Sequence, residues 1–294
     1  MITAPTVLIL GAGASAPYGS PLGPQLKDLI LKDLQMPFEE SEYIHRFYLD
    51  KYNALSKAIS VSDPDETIDK ILVNCPSLAE MGKYAIAMAL TKAQNHDNVF
   101  PAKDPARDWY RHLFQRLELE DSFEDPPKLS IITFNYDNSL EYYLNCTVEN
   151  KYEGANKLRI RNKLSNIKLI HVHGKLADYS ANKEARNITT NGFTSDIKIV
   201  SDKGVEQSEE FTAARNLVWV ARRIFVLGFG YDKDNIAHLN LQPGKGKDTA
   251  AKMFGTWLGE PDSERIKREL HNDIELAPSG FDCLHALQHW RKYF

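Results

Sequence analysis

Hydrophobic residues are concentrated in four short runs, each of which stops abruptly at glycine or at polar residues. The runs cover residues 6–10, 129–134, 167–173 and 222–227. Short apolar runs rich in β-branched residues and bounded by turn formers are typical of buried strands. Because parallel strands that belong to one sheet present their carboxyl ends at the same edge, the turns that follow these four runs are predicted to converge.

Between the first and second runs, apolar positions instead recur every three or four residues. This spacing predicts amphipathic helices over 25–34, 38–58, 62–72, 78–93 and 106–119. The third of them opens with serine, aspartate and proline, which are favoured at helix N-termini. We therefore expect two domains. Residues 1–35 and 123–294 together form the domain that contains the sheet, and residues 36–122 form an inserted, all-helical lobe.

The chain after residue 176 has weaker patterns. Residues 177–205 are polar and predict a long surface loop or a small hairpin, whereas 209–220 predict a helix. The pattern over 248–294 predicts mixed helix, clearest at 264–270 and 281–293. Aromatic residues of this last segment either complete the core or form an interface, and the first alternative is favoured because such residues are usually buried.

Composition excludes several classes of function. The 294 residues are 43% hydrophobic and 26% charged, which is ordinary for a soluble globular protein with a sizeable core. A net charge of −4 gives no basic surface for nucleic acid, and no apolar stretch is long enough to span a membrane. The three cysteines, Cys75, Cys146 and Cys283, are too few for a four-cysteine zinc module. We expect a cytoplasmic protein.

The turn after the first run contains candidate chemistry. Residues 11–15 read Gly-Ala-Gly-Ala-Ser, and glycines allow another molecule to approach the backbone closely. A helix that begins near Ser15 would direct its N–H groups at a phosphate. The third glycine of the dinucleotide fingerprint is absent, because Ala16 and Pro17 follow. The same glycines would also suit a simple turn in any α/β protein, so both interpretations stand.

Polar residues follow the second run, where Asn135 and Asp137 come directly after the apolar segment. Ligands of open α/β sheets bind at this end of a strand. Capping of the next helix by Asp137 or Asn138 is the alternative, and it would explain one of these residues.

The third run ends in two histidines. Strand alternation predicts His171 and His173 on one face, with Ile170 and Val172 on the other. His173 precedes Gly174 at the end of the run, where it is well placed for proton transfer near neutral pH. His171 lies further inside the strand, so it better fits a histidine whose ring nitrogens form hydrogen bonds within the fold. No third ligand with suitable spacing supports a metal site.

Together the four turns resemble one family. The segments GAGAS, TFNYD, HVHGK and LGFGYD, in this order, are similar to those of the sirtuin-like fold. They most resemble the bacterial sirtuin-like NAD-hydrolase branch, known as the sirtuin-like domain of anti-phage defence proteins, in which Asn-Tyr-Asp replaces Asn-Ile-Asp. The likeness covers roughly residues 6–240. The four-cysteine zinc ribbon of sirtuin deacylases is absent, which weakens the resemblance to a deacylase.

The resemblance implies a Rossmann-like parallel sheet with helices on both faces, and NAD bound over the carboxyl ends of its strands. It implies that Asn135 and His173 are catalytic and that Asp137 lines the nicotinamide pocket. Other turn residues would contact the rest of NAD. These are Gly11, Ala12, Gly13 and Ser15 for the pyrophosphate, and Gly228, Phe229 and Gly230 for the ribose or adenine side.

The implied function is an NAD+ glycohydrolase that releases nicotinamide and ADP-ribose, with NAD as substrate and no metal. It would deplete NAD as the effector of a bacterial anti-phage system. The alternatives are an NAD-dependent deacylase or ADP-ribosyltransferase, and a nucleotide-sensing module without turnover. The resemblance also implies a homo-oligomer and a second defence protein, such as a helicase-like or sensor subunit, as partner. Neither a membrane nor nucleic acid is expected to bind directly.

Overall fold

The computed structural model describes residues 2–35, 42–64, 66–93, 96–118, 128–176, 197–198, 204–241, 251–257, 262–270 and 273–294. Over these residues it contains a six-stranded sheet. The strands are β1 Thr6–Leu10, β2 Leu129–Thr133, β3 Lys168–His171, β4 Arg223–Leu227, β5 Lys252–Gly255 and β6 Ile274–Leu276. All pairings are parallel, in the order β3-β2-β1-β4-β5-β6. This is the strand order of Rossmann-like folds.

Helices connect the strands and form the lobe. The α-helices of the described residues are α1 Ala12–Ser15, α2 Gly23–Gln35, α3 Glu42–Ser60, α4 Ile68–Asn74, α5 Ala79–Ala93, α6 His96–Val99, α7 Trp109–Glu118, α8 Ser139–Lys151, α9 Gly154–Ser165, α10 Glu209–Val220, α11 Lys233–His238, α12 Asp262–Glu269 and α13 Cys283–His289. Short 3-10 turns lie at Ala16–Tyr18, Pro76–Leu78, Pro105–Arg107 and Val205–Gln207.

Both faces of the sheet are covered by helices. Alternate residues of β1 point to opposite sides, so Leu8 and Leu10 join one core and Val7 and Ile9 join the other. The first core includes residues of α7, α8 and α13, and the second includes residues of α10, α11 and α12. All five residues of β1 are buried, as expected for a central parallel strand. The predicted fold class, a Rossmann-like parallel sheet with helices on both faces and a helical insertion, is confirmed.

The helical lobe has a core of its own. Helices α2, α3, α4 and α5 pack together around buried residues such as Ile30, Leu55, Leu72 and Ile86. Tyr136, from the turn after β2, belongs to the same core, so the lobe packs against the carboxyl edge of the sheet.

Two helices pack across the division expected at 35/36 and 122/123, and both boundaries fall at or within residues outside the described ranges. Helix α2 packs with the lobe, whereas α7 packs beneath the sheet. The physical reason is that the apolar faces of the two helices meet different cores, and an amphipathic pattern does not specify its partner.

The last segment was expected to be mixed helix, and this is only partly right. Helices α12 and α13 are present, but the segment also adds β5 and β6 to the sheet. These strands have four and three residues, too few for a strand pattern to be recognised. Trp290 and Phe294 are buried against Phe225, so aromatic residues of this segment complete the core.

Two further observations concern the chain as a whole. Most of the predicted loop over 177–205 lies outside the described residues. In the parts of the chain that the structure describes, no helix combines the length and apolar character needed to cross a lipid bilayer.

Candidate functional site

The strand register aligns the four turns. Leu10 lies opposite both Thr133 of β2 and Leu227 of β4, and Thr133 lies opposite His171 of β3. Because β1 to β4 therefore end at the same level, the residues that follow them meet at one edge, as the sequence predicted. The neighbours β1 and β4 mark the point where the strand order reverses, which is where open α/β sheets form a crevice.

The turns after β1 and β4 are bonded directly to each other. The Gly11 N–H donates to the Leu227 carbonyl at 3.0 Å, and the Gly13 N–H donates to the Gly228 carbonyl at 2.9 Å. These two amides are therefore engaged within the fold, whereas the resemblance implied that they bind a pyrophosphate. Ala12 and Gly230 are exposed.

Close contact between these turns explains their glycines. A Cβ on Gly13 would lie 2.8 Å from the Gly228 Cα, and a Cβ on Gly228 would lie 2.1 Å from the Ala14 nitrogen. Gly228 also has a φ of +58°, a backbone conformation that residues other than glycine rarely adopt. At Gly230, in contrast, a Cβ would meet no described atom within 4 Å. Among the residues that the structure describes, none fills the space beside Gly230.

Asn135 lies against the turn after β1. Its Nδ2 donates to the Gly11 carbonyl at 2.9 Å and contacts the Ser15 Oγ at 3.0 Å. A carbonyl only accepts hydrogen bonds, so the bond to Gly11 fixes which end of the amide is nitrogen. The Oδ1 is then the atom of this amide that remains to act on a ligand. Asn135 is buried, and its own N–H donates to the Thr133 Oγ1 at 3.0 Å.

Asp137 joins a buried polar network. Its Oδ1 accepts from the Ser139 N–H at 3.1 Å and from the Ser139 hydroxyl. The Ser139 Oγ is 2.8 Å from the hydroxyl of Tyr110, which also interacts with Ser15. Burial, with the charge of Asp137, raises the pKa of Tyr110. Asp137 thus accepts the N–H of the first residue of α8 from outside the helix, whereas the N-cap residue, Asn138, makes no side-chain cap.

The two histidines occupy different environments. His171 Nδ1 contacts the Asn135 carbonyl at 3.0 Å, and its Nε2 contacts the Glu141 carboxylate at 2.9 Å. Its ring is thus satisfied within the fold, as the sequence favoured. The His173 ring lies instead among aromatic side chains, 5.5 Å from Phe134 and 5.6 Å from Phe211 between ring centroids.

The prediction that His171 and His173 share a face of the strand is wrong. Strand β3 ends at His171, and a turn follows in which the Gly174 N–H donates to the His171 carbonyl at 3.1 Å. Alternation does not continue through a turn. His173 therefore contacts Phe211 of α10, whereas His171 contacts Glu141 of α8.

The turn after β4 reaches the same region. The Phe229 ring is buried and lies 4.9 Å from that of Phe134, which in turn contacts His173. The Gly228 N–H donates to the Thr256 Oγ1 at 2.7 Å, and the Arg265 guanidinium donates to the Gly230 and Tyr231 carbonyls. A side chain that directly follows β5 and one from α12 thus hold this turn in place.

Sequence reasoning missed several of these supporting residues. Trp109 donates from Nε1 to the Ala14 carbonyl at 2.7 Å, and Tyr110 joins the Asp137 network. Both lie on the apolar face of α7. In the sequence they therefore look like core residues of an amphipathic helix, not like residues that support a site. Thr256 and Arg265 lie in the segment that was expected to be mixed helix. No local signal in the sequence points to any of these contacts.

No protein-family model matches the chain, and no curated protein matches it. Within the described ranges, no cluster of three or more His, Cys, Asp or Glu side chains is arranged to hold a metal ion.

Proposed function

We propose that this chain is an NAD+ glycohydrolase that cleaves NAD+ to nicotinamide and ADP-ribose, the activity implied by its resemblance to sirtuin-like NAD hydrolases. The observation that carries the proposal is the position of Asn135. Its side-chain amide, supplied by the turn after β2, is bonded to the glycine turn after β1. A polar group is thereby held beside the point where Rossmann-like sheets bind their ligands.

The chemistry suits these residue types. Nicotinamide leaves NAD+ as a neutral molecule, so no strong acid is needed to expel it. The ribose carbon develops oxocarbenium character as the bond breaks, as in glycoside cleavage generally. In the proposed reaction, the Asn135 Oδ1 accepts a hydrogen bond from a ribose hydroxyl or from the attacking water. The water adds its hydroxyl to the ribose carbon, and His173 takes its remaining proton.

In this proposal the pyrophosphate contacts differ from those that the resemblance implied. The Gly11 and Gly13 amides are already engaged, and Ser15 is buried against Asn135. Ala12 and Gly230, which are exposed, remain, together with the space beside Gly230 that no described residue fills. In this proposal Ser15 orients Asn135, and the pyrophosphate lies over the outer side of the two turns.

The proposal extends to the biological role that the resemblance implies. The protein would deplete NAD as the effector of a bacterial anti-phage system. Such a role requires control of the activity, either by self-association or by a second defence protein with helicase-like or sensor character.

The direct test is turnover by the purified full-length chain. We expect micromolar protein mixed with NAD+ to release nicotinamide and ADP-ribose in equal amounts, as measured by chromatography. Addition of an acyl-lysine peptide should leave these products unchanged. Formation of O-acyl-ADP-ribose would instead support the deacylase, and tight NAD+ binding without release of nicotinamide would support a nucleotide-sensing module.

Substitution of the two histidines tests the choice of base. We expect His173→Phe to lower kcat about 100- to 10,000-fold, because it removes the proton acceptor but keeps an aromatic ring between Phe134 and Phe211. The matched variant His171→Gln should mainly lower thermal stability, because His171 bonds Asn135 and Glu141. Full activity in His173→Phe, together with its loss in a folded His171→Gln, would assign the base to His171.

A further inference from the structure

Three buried hydroxyl groups connect Asn135 to Asp137, and we call this series of hydrogen bonds the relay. The Asn135 Nδ2 contacts the Ser15 Oγ at 3.0 Å, and Ser15 forms a hydrogen bond with the Tyr110 hydroxyl. The Tyr110 hydroxyl lies 2.8 Å from the Ser139 Oγ, which in turn bonds the Asp137 Oδ1. All five residues are buried, which makes the loss of any one partner costly.

The two ends of the relay fix the direction of every hydrogen bond in it. An amide nitrogen only donates, so the Ser15 hydroxyl accepts from Asn135 and has its single proton left for Tyr110. The Asp137 Oδ1 already accepts the Ser139 N–H at 3.1 Å, so it is an acceptor and the Ser139 hydroxyl donates to it. The Tyr110 hydroxyl therefore accepts from Ser15 and donates to Ser139.

The central member of the relay, Tyr110, is held in a fixed position. Its ring stacks on that of Tyr18 with 3.6 Å between centroids, and the Tyr143 ring meets it edge-on at 5.5 Å. The Tyr110 N–H donates to the Tyr18 hydroxyl at 2.7 Å. The hydroxyls of Tyr18 and Tyr143 in turn donate to Asp108. Burial and the charge of Asp137 raise the pKa of Tyr110, so its hydroxyl keeps the proton that the relay needs.

We infer that Tyr110 is a positioning residue for the Asn135 amide, an inference that rests on the proposed function. The Ser15 oxygen can hold this amide only while its own proton points elsewhere, and the Tyr110 oxygen accepts that proton. Without the Tyr110 hydroxyl, the Ser15 proton can turn toward Asn135, where it competes with the hydrogen on Nδ2. The Asn135 Oδ1 is then directed less precisely at the ribose hydroxyl or the attacking water. Small misplacements of this kind slow the chemical step.

Tyr110→Phe tests this role because it removes only the hydroxyl and keeps the stacked ring. We expect kcat for NAD+ cleavage to fall about 10- to 100-fold, whereas KM should stay within about twofold of the native value. Tyr143→Phe is the matched control, since it removes a hydroxyl of the same aromatic cluster that bonds Asp108 instead of the relay. The control should lose some thermal stability but keep the native kcat.

A double-mutant cycle with the purified full-length chain tests whether Tyr110 acts through Asn135. Initial rates of nicotinamide release at saturating NAD+ are measured for Asn135→Ala, for Tyr110→Phe and for the variant with both changes. If Tyr110 only positions the amide, the double variant should be as fast as Asn135→Ala alone, within about twofold. Ser139→Ala breaks the relay at the next bond and should lower kcat to a similar extent, so it provides the same test if Tyr110→Phe does not fold.

The possible results are distinct. A loss of kcat in Tyr110→Phe that disappears in the Asn135→Ala background supports the inference. Native kcat in Tyr110→Phe, an equal loss in Tyr143→Phe, or losses that multiply in the double variant would overturn it and leave the proposed function standing. If the native chain releases no nicotinamide from NAD+, both the inference and the proposed function are wrong.

Discussion

Asn135→Ala is expected to lower the rate of NAD+ cleavage about 100- to 1,000-fold, the usual cost of removing one positioned polar group from an active site. The loss should appear mainly in kcat, because the proposed role of Oδ1 is to orient a ribose hydroxyl or the attacking water in the transition state. Initial rates of nicotinamide release at saturating NAD+ measure this effect.

The structural cost of the same change should be moderate. The buried Gly11 carbonyl loses its donor from Asn135 but keeps the Ala14 N–H at 2.9 Å, so we expect a cost of about 0.5–1.5 kcal/mol in the free energy of unfolding. The variant should therefore remain folded by circular dichroism. Asn150→Ala, at an exposed position of α8, is the matched control and should keep native activity. Native turnover by a folded Asn135→Ala variant would show that Asn135 has no role in the reaction, and the proposed site would then be wrong.

Gly228→Ala is expected to have the largest effect on stability. Its Cβ would lie 2.1 Å from the Ala14 nitrogen, a backbone atom that cannot move without separating the turns after β1 and β4. The positive φ of Gly228 adds a conformational penalty of about 1 kcal/mol or more. Overpacking by the added Cβ destabilises the protein further. The two effects together are expected to lower the free energy of unfolding by roughly 3 kcal/mol or more.

Two other glycines provide matched controls. The Cβ of Gly230→Ala would meet no described atom within 4 Å, and Gly230 has no positive φ, so the stability of this variant should stay within about 0.5 kcal/mol of native. Gly154→Ala also meets no described atom within 4 Å, but its φ is +53°, so it isolates the conformational penalty. Chemical denaturation of the three variants measures each cost. A Gly228→Ala variant as stable as Gly154→Ala would show that close contact between the turns does not constrain this position.

Gly228 also shows why a glycine motif is ambiguous when read from sequence. Close approach of another molecule and close approach of the protein's own backbone both exclude a side chain. The sequence therefore left open whether the glycines after β1 approach a ligand or only form a turn. The mutual hydrogen bonds of the turns after β1 and β4 through Gly11 and Gly13 became evident only when the two turns were seen together.

The predictions for the strands succeeded where burial is complete. Strand β1 is a continuous apolar run because helices cover it on both sides, and β4 is similar. Strands β5 and β6 are too short to carry such a signal. His173 was assigned to the wrong face because the sequence does not mark where β3 ends.

What the sequence by itself determined is the parallel sheet, the helical insertion and the meeting of the turns that contain Gly11 and Asn135. These features follow from local patterns and from one property of parallel sheets, whose strands end at a common edge. The tertiary structure alone decided that Tyr110 links the first two turns, that α2 packs with the lobe and that Asp69 lies beside Tyr136. Such contacts join residues far apart in the chain, and packing and register determine them rather than any neighbouring residue.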